Sequence, residues 1–191
     1  MSTNRDIINS VTDWLNNKVL PNVMGKQEAD NANGYILKSP IAYSMFIPNR
    51  DMVEDKSSGL YPCVLVQLNE ATDYLKEHTG NVSILLHILV WNPGTHITET
   101  QNENTAMSGM KFNRNADGWN DAMLIADFIE EQLILAGNIN GSRVIFENGI
   151  KIYPYKEQNA IMDFYPMFYM DMEFTIEKAY VTTPKSYNQY L

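Results

Sequence analysis

Cysteine is almost missing from this chain of 191 residues. Cys63 stands alone, so no intrachain disulfide framework braces the fold. Inside the apolar run "YPCVLVQL" it reads as a small buried hydrophobe. Basic charge is scarce too: 14 Lys and Arg against 23 Asp and Glu give a formal net charge of −9. Nucleic-acid grooves are built from Lys and Arg, so this deficit argues against sequence-specific DNA binding. Long apolar runs are lacking. The longest, Ile84 to Trp91, is interrupted by His87 and falls short of the ~20 residues of a membrane span. The N-terminal stretch "MSTNRDIINSVTDWLNN" has Asp6 and Asp13 where a signal peptide would be apolar or basic, so folding in a cytoplasm is expected. The glycosylation patterns at Asn81 and Asn140 carry no meaning without secretion.

Catalytic motifs are missing as well. There is no Gly-rich phosphate loop and no G-x-S-x-G elbow. His78, His87 and His96 stand nine residues apart, which leaves no i, i+4 zinc pair. His87, amid Leu and Ile, reads as a hydrogen-bonded sheet histidine. It could meet Cys63 across adjacent strands, but nothing in the sequence suggests an activated thiol. Glu70 with Asp73, and Glu130 with Glu131, are close carboxylate pairs. The first lies in what reads as a solvated turn, the second on an exposed helical edge. No catalytic residue, cofactor or metal is therefore expected.

What the chain does hold is pattern. Hydrophobic residues make up 45% and charged ones 19%, which suits one globular core at this length. Ile7, Ile8, Val11, Trp14, Leu15 and Val19 form a helical stripe from about Asn4 to Leu20, with Thr3 and Asp6 at capping-box spacing and Pro21 beyond. Asn22 to Ser39 reads as a connector, "PIAYSMFIP" as a strand between Pro40 and Pro48, and residues 49 to 60 as a polar loop. "YPCVLVQL" places Val64, Val66 and Leu68 on one face. "NVSILLHILVW" reads as a central strand covered on both sides. Residues 92 to 116, rich in Asn, Thr and Gly, read as a long mobile loop. The loop runs into "DGWNDAMLIADFIEEQLILAG", with Asp117 as N-cap, Gly137 closing, and Ala122, Ile125, Ala126, Ile129 and Leu133 as core stripe. "RVIFENGIKIY" reads as a hairpin turning at Asn148-Gly149. "MFYMDMEFTIEKAYV" alternates apolar and polar residues as a long antiparallel strand with one wet face. The tail from Thr182 to Leu191 reads as frayed. The whole predicts a single α+β domain over residues 1–191, with a mainly antiparallel sheet of about four to five strands flanked by two helices.

Two phrases in that pattern resemble the tail terminator (tail completion) proteins of tailed bacteriophages. One is the loop running into Gly118, Trp119 and Asp121, then a helix to Leu133. The other is "DFYPMFYMDMEFTIE", matching at Tyr165, Pro166 and Phe168. The strand "YPCVLVQLNE" and the N-terminal helix also fit. The chain departs from that pattern at Asp163-Phe164, where a first Pro is missing, and in a longer segment 22 to 60. The resemblance implies a virion structural protein of the phage tail neck, assembled in the host cytoplasm. It implies a hexameric ring that caps the tail tube and meets both the tube protein and the head connector. Six copies would carry six times −9, about −54, which suits a channel through which DNA must slide. Asp117, Gly118, Trp119, Asp121, Tyr165 and Pro166 are the candidate interface residues. Rival expectations are another head–tail joining or minor tail protein, or a small-ligand or enzyme domain with its site under the 92–116 loop.

Overall fold

A computed structural model of the chain describes residues 3–28, 35–47, 60–74, 79–97, 111–113, 115–157, 160–161 and 164–179. Helix α1 (Asn4–Trp14) starts on a full capping box: Asp6 N–H donates to Thr3 Oγ1 at 3.1 Å and Thr3 N–H to Asp6 Oδ2 at 2.7 Å. It widens into a π-turn (Leu15–Val19) and tightens into a 3-10 turn (Leu20–Asn22) that contains Pro21. Strands β1 (Gly25–Glu28), β2 (Tyr35–Lys38), β3 (Ile41–Ser44), β4 (Cys63–Tyr74), β5 (Thr79–Trp91), β6 (Thr95–Ile97) and β7 (Lys111–Asn113) follow. After helix α2 (Asp117–Ala136) come β8 (Asn138–Ile139), β9 (Ser142–Ile145), β10 (Lys151–Pro154), β11 (Lys156–Glu157), β12 (Ala160–Ile161) and β13 (Met167–Ala179).

The spine is β5 against β13, antiparallel from Trp91 opposite Met167 to Thr79 opposite Ala179. β4 lies antiparallel on the other side of β5, and β3 runs parallel to β4 at the edge. Along the far side of β13 lie β9, with β8 beyond it, and β10. The fold is α+β as the sequence predicts, but the main sheet holds seven strands among the described residues, not four to five. The shortfall lies in strands of two to four residues, which are too short to show a period of two.

Register sorts the side chains by face. Val64, Val66 and Leu68 stand opposite Ile88, Leu86 and Ile84, and Met170, Met172 and Phe174 join them from β13. Both helices pack on this face, and one buried cluster joins Ile7, Val11 and Leu15 to Ile125, Ile129 and Leu133. Each such side chain contributes about 1.5–3 kcal/mol on full burial, so this face is what docks the helices. The opposite face is covered only in part: Cys63 and Leu89 are buried there, while Leu85 and His87 of β5 are half-buried. The expected two-sided cover of β5 is thus corrected. Its aliphatic run hides a mixed face, on which His87 stands opposite the buried Asp171 and Leu85 opposite the half-buried Glu173 of β13.

Four further expectations change. Asn22 to Ser39 contains the antiparallel β1–β2 ribbon, and the 92–116 segment contains β6 and β7, paired antiparallel around residues 98–110, which lie outside those described. "NEATDY" is no turn but the end of β4, reached through a bulge at Asn69 that shifts the register between Leu68 and Glu70. Asn148-Gly149 makes no hairpin. β9 and β10 both run antiparallel to β13, so residues 146–150 bulge from a single edge. The hairpin sits instead at Asn140-Gly141, between β8 and β9, where φ is +49° and +85°, as a type I′ turn requires. Asn148 lacks the positive φ that such a turn needs, and Gly149 N–H merely closes a turn onto Phe146 O at 2.9 Å. The tail from Thr182 lies outside the described residues.

Candidate assembly site at the root of the β6–β7 hairpin

β5 ends at Trp91 and the chain turns through Asn92, Pro93 and Gly94 into β6. Asn92 is buried, and its backbone N–H and both side-chain polar atoms are engaged. Its N–H donates to Pro166 O at 2.9 Å, its Nδ2 to Asp121 Oδ2 at 2.6 Å, and its Oδ1 accepts Gly94 N–H at 2.8 Å. Tyr165 OH donates to Pro93 O at 2.6 Å, fixing the same turn from the start of β13. Gly118, in the first turn of α2, lies against Phe168. A Cβ there would stand 2.0 to 2.6 Å from three carbons of that ring, so only hydrogen fits. Trp119 meets Phe168 edge-on at 5.5 Å, and Tyr165 meets it at 6.5 Å.

Five of the six candidate residues, Gly118, Trp119, Asp121, Tyr165 and Pro166, therefore gather around one three-residue turn. Asp117 does not join them. It is exposed and is the first helical residue, so it is not the N-cap expected from the sequence. The cap position is Ala116, and Asn115 supplies the acceptor. Asn115 Oδ1 receives Asp117 N–H at 3.1 Å, while its Nδ2 donates to the Asp117 carboxylate. An Asn two residues upstream offers the helix the same oxygen through an Asx turn, which leaves Asp117 to face the positive helix end. Asp121 makes a second link, to Lys26 Nζ at 4.0 Å, and Lys26 lies 5.1 Å from the centroid of the Tyr35 ring. That ion pair is part-exposed and contributes little. The buried Asn92 amide is what holds Asp121.

On the open sheet face, His87 Nδ1 lies 2.6 Å from Asp171 Oδ1 and Nε2 lies 3.0 Å from Gln67 Oε1. Gln67 Nε2 in turn donates to Met45 O at 3.2 Å. Both ring nitrogens are thus engaged by neighbouring side chains of the sheet. Burial pushes the Cys63 thiol up to about 12, so it stays protonated near neutrality and is a poor nucleophile. Beside His87 is a cleft of about 280 Å³ lined by Leu65, Leu89, Tyr155, Phe164 and Tyr169. Phe164 packs edge-on to Tyr169 at 5.1 Å. Tyr61 OH lies 3.3 Å from Tyr169 OH, and burial, with that hydrogen bond second, pushes the Tyr61 phenol up. Glu70 and Glu173 line a separate polar groove, where Glu173 bonds Ser83 Oγ at 3.2 Å and Lys151 Nζ at 3.2 Å. Among the described residues no group of three or more His, Cys, Asp or Glu could hold a metal. No described helix is long and apolar enough to cross a membrane. His78, and the side chain of His96, lie outside the described residues.

No family model and no curated protein matches this chain.

Two residues that hold the root, Asn92 and Asn115, are absent from the sequence-derived set. Both sit in Asn-rich stretches that read as loop. The phrase Asn92-Pro93-Gly94 was the available signal, because that triplet is turn chemistry directly after the longest apolar run.

Proposed function

We propose that this chain is a structural assembly protein of the tail terminator kind. In this reading it forms a ring at the head-proximal end of a phage tail tube, stops tube polymerisation and presents a surface to the head connector. One observation carries the reading. The two phrases that resemble the family, more than forty residues apart, meet at the base of the β6–β7 hairpin. A hairpin whose departure is set by buried hydrogen bonds and a glycine-sized contact leaves at a defined angle, as a segment that meets a neighbouring subunit must. The protonated Cys63, which offers no activated thiol, is in keeping with this reading.

The test polymerises a phage tail tube protein with the parent, with Asp121→Ala and with Asp117→Ala, and reads tube lengths by electron microscopy. The parent is expected to hold length uniform. Asp121→Ala leaves the buried Asn92 Nδ2 without its acceptor, so tubes should overgrow while the chain still folds. Asp117→Ala should cap like the parent. Tubes of unchanged, unregulated length with parent protein would sink the proposal. The apolar cleft beside His87 favours a second reading, a small-ligand domain. Saturable binding of an apolar probe there, with no effect on tubes, would favour it.

A further inference from the structure

Two surfaces among the described residues expose large apolar side chains. Helix α2 buries Ala122, Ile125, Ala126, Ile129 and Leu133, yet its outer side carries Leu124 at 62% exposure and Leu135 at 71%. Between those two leucines stand Asp127 and Glu131, both exposed. Spacings of three, four and four put all four residues on one stripe. A solvated helix face carries polar residues alone, whereas this one sets two large leucines beside its two carboxylates. The second surface is β2, where Tyr35, Ile36 and Leu37 are exposed in succession. Alternation sends these to both sides of the ribbon, the pattern of a strand covered on both faces. A two-stranded ribbon of four-residue strands has little stability of its own.

Charge says what covers what. Lys38 ends β2 and makes no ion pair among the described residues, and neither do Asp127 and Glu131. Spacing agrees. Ile36 and Lys38 share one side of β2, about 6.6 Å apart at strand rise. Leu135 and Glu131 are one helical turn apart, about 6 Å at helix rise. The apolar residue and lysine of β2 thus match the apolar residue and carboxylate of α2 at nearly the same separation. The two surfaces differ from each other, so a contact between them is heterologous and repeats from copy to copy.

We propose that copies of this chain join head to tail, with β2 of one copy seated on the outer stripe of α2 of the next. The inference deepens the ring reading by naming the surfaces that link its subunits.

The test needs no tube. Sedimentation velocity of the full chain is run across a wide concentration range for three proteins: the parent, an Ile36→Asp/Lys38→Glu variant and a Leu135→Asp/Glu131→Lys variant. All four positions are at or near the surface, and circular dichroism checks that each variant folds. The parent should associate with concentration, and each variant alone should do so at least about tenfold more weakly. Mixed one to one, the variants should form a heterodimer and stop, because each still offers one intact surface. A parent that stays monomeric at every concentration would overturn the proposal. So would a parent that associates while the mixture stays monomeric, since the contact would then lie elsewhere. Association as described, with tubes left uncapped, would retain this contact and discard the terminator reading.

Discussion

Replacing Gly118 by alanine sets two effects against each other. Alanine is favoured over glycine in a helix by up to about 1 kcal/mol, and by less in the first turn, where residue 118 lies. Against that, the new Cβ would stand 2.0 Å from Phe168 Cδ2 and 2.2 Å from Cε2. Ordinary carbon contacts begin near 3.5 Å, so the ring must move by more than an ångström. It has little room, being only 6% exposed and held edge-on between Trp119 and Tyr165. Overpacking of this kind costs about 1–3 kcal/mol, and the net loss expected is about 1–2 kcal/mol. For a chain of this length that is a fall in Tm of about 2–8 °C. Urea denaturation gives the free energy and a thermal scan the shift. Gly137→Ala is the control. Gly137 closes α2 at φ +64° with nothing within 4 Å of a Cβ, so its cost is backbone strain alone, about 1 kcal/mol. Phe168→Leu should relieve Gly118→Ala by at least about 0.5 kcal/mol in a double-mutant cycle. A Gly118→Ala protein more stable than the parent would refute the reasoning, because propensity would then have outweighed the contact.

Further outcomes follow from other parts of the fold. Asn16, in the π-turn, bonds both backbone groups of Ala42 on edge strand β3, donating from Nδ2 at 3.0 Å and accepting at Oδ1 at 2.8 Å. Asn16→Ala should cost about 1–3 kcal/mol and, by baring that edge, raise aggregation in light scattering; an unchanged urea midpoint would count against the role. His87→Gln takes the partner from Asp171, which is only 6% exposed, so a loss of about 1–3 kcal/mol is expected with tube capping intact; loss of capping without loss of stability would contradict it. Cys63 should resist thiol reagents in the folded protein at pH 8 and react on unfolding. Its folded pKa, about 12, exceeds that of an unfolded thiol, so the linked stability is complete below the unfolded value and is lost as pH rises toward 12. Cys63→Ser should flatten stability across that alkaline window, and an identical pH profile would remove the thiol as its cause.

Local chemistry was legible wherever neighbours in sequence are neighbours in space. The capping box of Thr3 and Asp6, the stripes of α1 and α2, the left-handed close at Gly137 and the alternation of β4 and β13 depend on residues a few positions apart, so periodicity reads them directly. The five convergent site residues were named from two phrases, but why they matter was not readable, because the reason is the contact between those phrases. Gly118 is required by Phe168, fifty residues later, and Asp121 by Asn92, twenty-nine residues earlier. Of the Asn-Gly pairs at 140–141 and 148–149, the first makes the hairpin and the second a bulge. Both offer the same local turn chemistry, and β13 decides between them by pairing with both flanks of the second. Likewise the sequence marks Asp117 as the natural cap, while the fold gives that role to Asn115. Side-chain period and turn preference are properties of a short stretch of backbone, and they determine which elements form. Which edges pair, which glycine has no room for a methyl and which buried amide finds a carboxylate depend on surfaces brought together only by collapse of the core, and those the tertiary structure alone decided.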